Sequence, residues 1–218
     1  MPWLSDVPAV VQAWYGGQEQ GTAVASVLFG DVNPSGKLPV TFPATEDQFV
    51  QIGVQRPFEQ VAEVDPTTVY AEGIHVGYRG FAKAGITPLF PFGHGLSYTS
   101  FGYDKLNAKG LNTRAAKDTA QVQLQVTNTG KVAGSEVVQV YVGKLPTAVD
   151  TPVRQLAGYA RVDLAPGQKQ VVKVDLDVRS LQYWDAAADR WVTPTGNIPV
   201  YVGTSATDVR LSGSLSVK

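Results

Sequence analysis

Ala120, Val122, Leu124 and Val126 alternate with Gln121, Gln123, Gln125 and Thr127. A period of two places the apolar set on one face of an extended chain, so this stretch predicts a half-buried strand, closed by the turn Asn128-Thr129-Gly130. Glu136 to Val142 (EVVQVYV) predicts a second strand. Val172, Val174 and Leu176 alternate with Lys173 and Asp175 in a third, after the turn Ala165-Pro166-Gly167; Ile198 to Val202 makes a fourth ending at Gly203, and Arg210 to Val217 alternates again. Short strands punctuated by Gly, Pro and Asn turns predict an antiparallel β-sandwich over 104–218.

The pattern is different at the other end of the chain. Ala9 to Trp14 (AVVQAW) is a continuous apolar run followed by Tyr15 and Gly16-Gly17, the signature of a buried parallel strand feeding a tight turn. Gln18 to Phe29 then predicts a helix, with Glu19 in the first turn, Ala23, Val24, Val27 and Leu28 at helical spacing, and Gly30 as its stop. The next segment, DVNPSGKLPVTFPAT, is proline-rich and predicts an extended exit. One strand and one helix cannot bury a parallel sheet alone, so 1–45 is expected to be the closing piece of an α/β layer whose other strands precede it. The fold class expected is therefore mixed: a remnant of an α/β sandwich layer followed by an antiparallel β-sandwich. Residues 46–66 show no periodicity and read as a surface loop.

Between these units, Tyr70 to Tyr103 (YAEGIHVGYRGFAKAGITPLFPFGHGLSYTSFGY) mixes glycines, aromatics, both histidines of the protein, Glu72 and Arg79. Glycines supply backbone geometry that side chains would block and aromatics supply large buried area, so 46–103 is expected to be loop plus an interdomain clamp. Its candidate residues are Glu72, His75, Gly77, Tyr78, Arg79, Phe92 and His94, with a buried Glu72–Arg79 ion pair as the expected structural explanation of the charges.

The 218 residues carry a formal net charge of −1 and no basic run, which points away from nucleic acid and anionic membrane surfaces. With no cysteine there is no disulfide, thiolate metal site or thiol nucleophile, which fits a reducing compartment or a bacterial protein without bridges. No apolar run is long enough to span a bilayer and no signal peptide is visible, so no membrane partner is expected and the compartment, whether cytoplasmic, periplasmic or secreted, stays open.

Candidate chemistry is sparse. Glu19, Asp31, Glu46, Asp47, Glu59, Glu63, Asp65 and Glu72 are scattered, and spacing singles out no carboxylate pair. His75 and His94 without thiolates or a calcium loop read as structural, so neither metal nor cofactor is expected. Ser97 in GHGLSY departs from the Gly-x-Ser-x-Gly elbow, and GHG lacks the strand-then-helix setting of a phosphate loop. Trp14, Tyr15, Tyr183, Trp184 and Trp191 are either sugar-stacking platforms or packing residues; for Trp184 and Trp191, flanking DAAADR, the core of adjoining strands is the expected place.

Several stretches together carry a resemblance. MPWLSDVPAVVQAWYGGQEQGTAVASVLFGDVNPSGKLPVTFP resembles the closing part of the α/β sandwich domain of glycoside hydrolase family 3. EGIHVGYRGF and PLFPFGHGLSYTSFGY resemble the segment leaving that domain, and TNTGKVAGSEVVQVYV with LAGYARVDLAPGQ is similar to the family's fibronectin type III-like, immunoglobulin-like domain. The resemblance implies a retaining exo-acting hydrolase, with β-glucosidase as the expected activity and a β-glucoside or oligosaccharide as substrate. It implies an Asp nucleophile in an upstream barrel and a Glu acid/base on a loop of the α/β sandwich domain. Neither position falls in these residues, and Asp6, followed by Val7 where the family's nucleophile motif continues with Trp, is not promoted. The expected partner is the upstream barrel and α/β sandwich portion, in the same enzyme or as a separate chain, with a homo-oligomer also open. The alternative from another class is an autonomous carbohydrate-binding or subunit-assembly module.

Overall fold

The computed structural model describes residues 1–54, 70–113 and 119–218. Its organising body is a two-sheet antiparallel sandwich. One sheet has three strands, β1 (Phe101–Lys109), β2 (Gln121–Asn128) and β5 (Lys169–Asp175), in the order β1-β2-β5. The facing sheet runs β4-β3-β8-β9, built from β3 (Gly134–Gly143), β4 (Arg154–Leu164), β8 (Gly196–Gly203) and β9 (Val209–Val217). A separate hairpin joins β6 (Tyr183–Asp185) to β7 (Arg190–Val192). Val122, Leu124 and Val126 from the first sheet meet Val138, Val140, Val200 and Val202 from the second in one core, all fully buried. The alternation in the sequence is thus the alternation between core and solvent.

All five strands expected of the sandwich are present. The two long ones that periodicity did not mark, β1 and β4, lie on sheet edges, where one side of the backbone is unpaired and the side-chain pattern is weaker. The register of β4 against β3 slips between Val140 and Tyr141, so Tyr141 pairs with Leu156 whereas Val140 pairs with Gly158. The slip interrupts β4's period of two. β1 begins at Phe101, within the end of the glycine and aromatic stretch.

The N-terminal segment differs from its expected form. Ala9 to Trp14 is not a strand and is exposed, because among the described residues no strand lies beside it to complete a ladder. The helix is present as a 3-10 turn, Gly17–Glu19, continuing into α1 (Gln20–Leu28), and Gly30 follows with φ 83°. No residue of α1 is buried. Within the expected loop lies a short helix, α2 (Asp47–Gln51), whose Phe49 packs edge-on against Phe81 of α3 (Tyr78–Ala84). The rest of that expectation, from residue 55 onward, lies outside the described residues. Among the described residues no helix is long and apolar enough to cross a membrane.

Candidate functional site

The chemistry of the described chain concentrates where the glycine and aromatic stretch lies across β3. A strand in a two-layer sandwich ordinarily buries one face. β3 is buried on both along most of its length, since Val138, Val140 and Val142 enter the core while Gln139 and Tyr141 face the stretch on the other side.

The stretch first forms a two-stranded ladder with the exit segment. Phe42 and Phe90 exchange backbone hydrogen bonds at 2.8 and 3.1 Å, Leu38 N donates to His94 O at 2.8 Å, and Gly93 N donates to Leu38 O at 2.8 Å. Gly93 sits at φ 80°, and a Cβ there would collide with the Gln139 amide, so only glycine fits at this crossing. Gln139 uses that closeness: its Nε2 donates to Gly93 O at 3.1 Å and Thr204 O at 2.6 Å, and its Oε1 accepts from Tyr141 Oη at 2.6 Å. The buried amide thereby finds partners on three sides.

Rings add the apolar part. Tyr78 stacks on Phe92 with centroids 4.7 Å apart and meets Tyr141 edge-on at 6.0 Å, while its hydroxyl accepts a 2.9 Å hydrogen bond from Leu156 N in β4. Phe92 O accepts from Ala206 N at 2.9 Å in the β8–β9 turn. A second column runs outward: His94 stacks on Phe90, Phe90 meets Phe42 edge-on, and Phe42 stacks on Trp14. Trp14 has φ 52°, a conformation that a bulky residue adopts only when its surroundings hold it there.

Three polar links complete the junction. Lys37 Nζ pairs with Glu136 at 2.9 Å, the two side chains 14% and 7% exposed, and also donates to Gly95 O at 3.2 Å. His75 Nε2 lies 2.7 Å from Asp150 Oδ2, which Lys83 also reaches at 3.0 Å. Asn33 accepts from Ser97 Oγ and Tyr98 N and donates to Ala133 O, stitching exit, stretch and sandwich together. Ser97 is therefore committed to a structural bond.

Electrostatics follow burial. Desolvation, helped by the Lys37 charge and opposed by Asp208, lowers the pKa of His94 below its ordinary value. Hydrogen bonds from His75 and then Lys83 hold Asp150 below the usual carboxylate range. Burial and the nearby Glu136 push the Tyr103 phenol up, and burial does the same for Tyr141. Burial pushes Asp208 up, but its bonds to Arg210 and Thr204 outweigh that and the net shift is downward.

Of the seven candidates, the structure brings His75, Tyr78, Phe92 and His94 into these contacts, and Gly77 starts α3 at φ 58°. It does not bring Glu72 and Arg79 together. No ion pair joins them among the described residues: the Arg79 guanidinium lies 6.0 Å from the Tyr78 ring centroid, and Glu72 sits against Gly53 in the preceding loop. The pairs at the junction are instead Lys37 with Glu136, both outside the stretch, and His75 and Lys83 of the stretch with Asp150 of the sandwich. Glu136 and Gln139 left one trace in the sequence, as polar residues inside an otherwise apolar strand. Trp184 and Trp191 do sit on adjoining strands, paired across β6 and β7 at 5.6 Å, but they are half-exposed and Arg179 covers Trp191 at 4.1 Å. Among the described residues no group of three or more metal-ligating side chains converges.

Comparison with known proteins gives this junction its setting. Residues 1–78 match the glycosyl hydrolase family 3 C-terminal domain, and 136–206 match a fibronectin type III-like domain. Probable beta-glucosidase I of Emericella nidulans is 43% identical over 203 residues, covering 90% of this chain and 23% of that protein. Thermostable beta-glucosidase B of Acetivibrio thermocellus is 39% identical, covering 100% of this chain and 28% of that protein. Among solved structures, DesR, a beta-glucosidase from Streptomyces venezuelae, superposes with a TM-score of 0.87 at 44% identity, over 100% of this chain and 27% of its own. A Bifidobacterium adolescentis GH3 beta-glucosidase gives 0.87 at 33% identity, over 99% and 31%. The chain spans about a quarter of the length of the curated relatives it matches. It belongs to glycoside hydrolase family 3 and corresponds to the C-terminal part of that family's β-glucosidases, the end of the α/β sandwich domain together with the fibronectin type III-like domain.

Proposed function

We propose that this chain is the positioning scaffold of a retaining β-glucosidase that removes terminal non-reducing β-D-glucosyl residues. The reading divides it into a closing α/β segment (1–45), loop and clamp (46–103) and sandwich (104–218). In the reaction so proposed, a carboxylate attacks the anomeric carbon while an acid protonates the departing oxygen. The covalent glycosyl intermediate is then hydrolysed with the acid acting as base. Both groups come from the barrel and α/β sandwich portion; residues of this chain hold that portion in place. Precision of this kind has catalytic weight, because misplacement by about 1 Å can cost about a hundredfold in rate.

One observation carries the reading. Next to a sealed sandwich, residues 7–29 leave Val7, Val10, Val11, Trp14, Leu28 and Phe29 in solvent, with Tyr15 100% and Phe29 85% exposed. An apolar strip of that extent on one edge is the mark of a surface made to be covered, here by the remaining strands and helices of the α/β layer. An autonomous binding module has no use for it. In the clamp, Tyr78 with Phe92 stacked on it carries this docking to β3 and β4, His75 ties it to Asp150, His94 joins it to the exit segment, Gly77 sets the entry to α3, Glu72 packs against Gly53 and Arg79 lies beside the Tyr78 ring.

The test is an assay on an aryl β-glucoside. The purified chain is expected to show no turnover, and co-expression with a barrel-bearing upstream portion is expected to restore it. Turnover by the chain alone overturns the proposal, as does a stable monomer without apolar dye binding that titrates with polysaccharide.

A further inference from the structure

Asn33, in the exit segment, ties three parts of the chain together. Its Oδ1 accepts from Ser97 Oγ at 2.9 Å and from Tyr98 N at 2.8 Å, and its Nδ2 donates to Ala133 O, in the turn between β2 and β3, at 3.0 Å. Further contacts draw in α1. Tyr98 Oη donates to Val27 O at 2.6 Å, and Val32 N donates to Ser26 O at 3.0 Å, which folds the exit segment back on the helix. A Cβ at Gly134 would collide with Asn33 Nδ2, so the turn lies as close to the exit segment as glycine allows.

The apolar residues carried by these pinned segments are nonetheless in solvent. Leu28 and Phe29 stand at the end of α1, Val32 precedes Asn33, Leu96 and Tyr98 flank Ser97, and Val132 precedes Ala133; all are exposed, Leu96 by 75%. Apolar residues exposed singly need no explanation, but a group gathered on cross-bonded segments marks an interaction surface. Turns that bear contact residues are ordinarily costly to order on binding. Here hydrogen bonds fix their backbone before any partner arrives, and a surface so prepared loses little entropy when it is covered.

The occupant follows from continuity. Leu28 and Phe29 belong both to this patch and to the strip that the scaffold reading gives to the rest of the α/β layer. The chain spans about a quarter of the length of the curated relatives it matches, so the partner that covers the strip has the bulk to reach beyond it.

We propose that the upstream portion of the enzyme seats directly on this patch, touching the clamp at Leu96 and Tyr98 and the sandwich at Val132, and not α1 alone. The inference rests on the scaffold reading and extends it: the sandwich meets the upstream portion face to face as well as through the clamp. Burial of these side chains supplies affinity, and the bonds of Asn33 fix the angle at which the two bodies meet.

The experiment co-expresses the 218-residue chain with the same barrel-bearing upstream portion used to restore turnover, and measures their association. Leu96→Asp and Val132→Asp each place a charge in the proposed contact and are expected to weaken association about tenfold or more. In the chain by itself both positions face water, so its melting temperature should not move. Phe29→Asp tests the underlying reading and should weaken association as well. Val171→Asp, on the solvent face of β5, should leave association unchanged. Parental affinity for Leu96→Asp and Val132→Asp with weakening by Phe29→Asp overturns this proposal and spares the scaffold reading. No association of the unsubstituted chain, or no effect of any of the three, overturns both. The proposal also falls if Val171→Asp weakens association equally, if Leu96→Asp lowers the melting temperature of the chain by itself, or if the chain alone forms a dimer that Leu96→Asp dissolves, since a second copy would then own the patch.

Discussion

In the sandwich, Val122, Leu124 and Val126 are sealed between two sheets; in the N-terminal segment Val10, Val11 and Trp14, of the same chemical kind, stand in solvent. Both regions carry apolar residues in patterns that announce burial. What separates them is company: β2 has a neighbour on each edge and a facing sheet, whereas AVVQAW has among the described residues no ladder and little cover beyond the stack of Trp14 on Phe42. Burial is a property of an assembly of elements, and a segment whose partners lie elsewhere displays its future interface as exposed hydrophobic surface.

Mutations can break this contrast, and the strongest acts where the two regions meet. Lys37→Met leaves Glu136 as a nearly buried, unpaired carboxylate. It is expected to cost about 3–5 kcal/mol, read as a lowered denaturant midpoint; a loss under about 1 kcal/mol would show that the junction is wetter than drawn. Within the sandwich, Leu124→Ala is expected to cost about 2–5 kcal/mol through lost burial and a residual cavity. Its counterpart Val11→Ala should change the same unfolding curve by less than about 0.5 kcal/mol. Equal penalties for the two would erase the distinction between the regions. Tyr78→Phe keeps the ring stack on Phe92 and removes only the acceptor for Leu156 N, for about 1 kcal/mol.

The smallest effect sharpens the comparison through pH. Burial and Lys37 hold the His94 pKa below its ordinary 6.5, so the unfolded chain binds a proton there more readily than the folded one. Stability from this residue is present above pH 6.5 and is lost as pH falls through the folded value. His94→Gln should flatten the melting-temperature profile in that window; an unchanged slope would assign it to another group. Asp150, also held low, contributes stability that is present above its ordinary 3.8 and is lost only in more acidic solution.

Much of the fold was legible because period-two alternation and glycine or proline turns are local signals. Those residues state their own burial: Ala120, Val122, Leu124 and Val126 are all fully buried. β1 and β4 were not legible, since edge position and the Val140–Tyr141 register slip blur the period. The clamp could be recognised as a place of close approach, but its pairing could not. Glu72 and Arg79, seven residues apart, suggested each other by proximity in sequence, whereas Lys37 found Glu136 ninety-nine positions away, through a chain crossing that no local pattern encodes. Gln139 shows the same limit: its two acceptors, Gly93 O and Thr204 O, come from opposite directions along the chain.

That crossing has a kinetic meaning. The anchors of the clamp all follow it in sequence: Glu136, Gln139 and Leu156 on β3 and β4, and Ala206 in the turn after β8, whose pairing with β3 is non-local, the slow kind to form. Tyr78, Phe92 and Gly93 therefore have no surface to settle on until β3 has found β8 and the turn at Ala206 is in place. Full docking of the clamp therefore requires these parts of the sandwich to be formed. An enzyme assembled in this order would bring its two halves into register only after its final strands had folded.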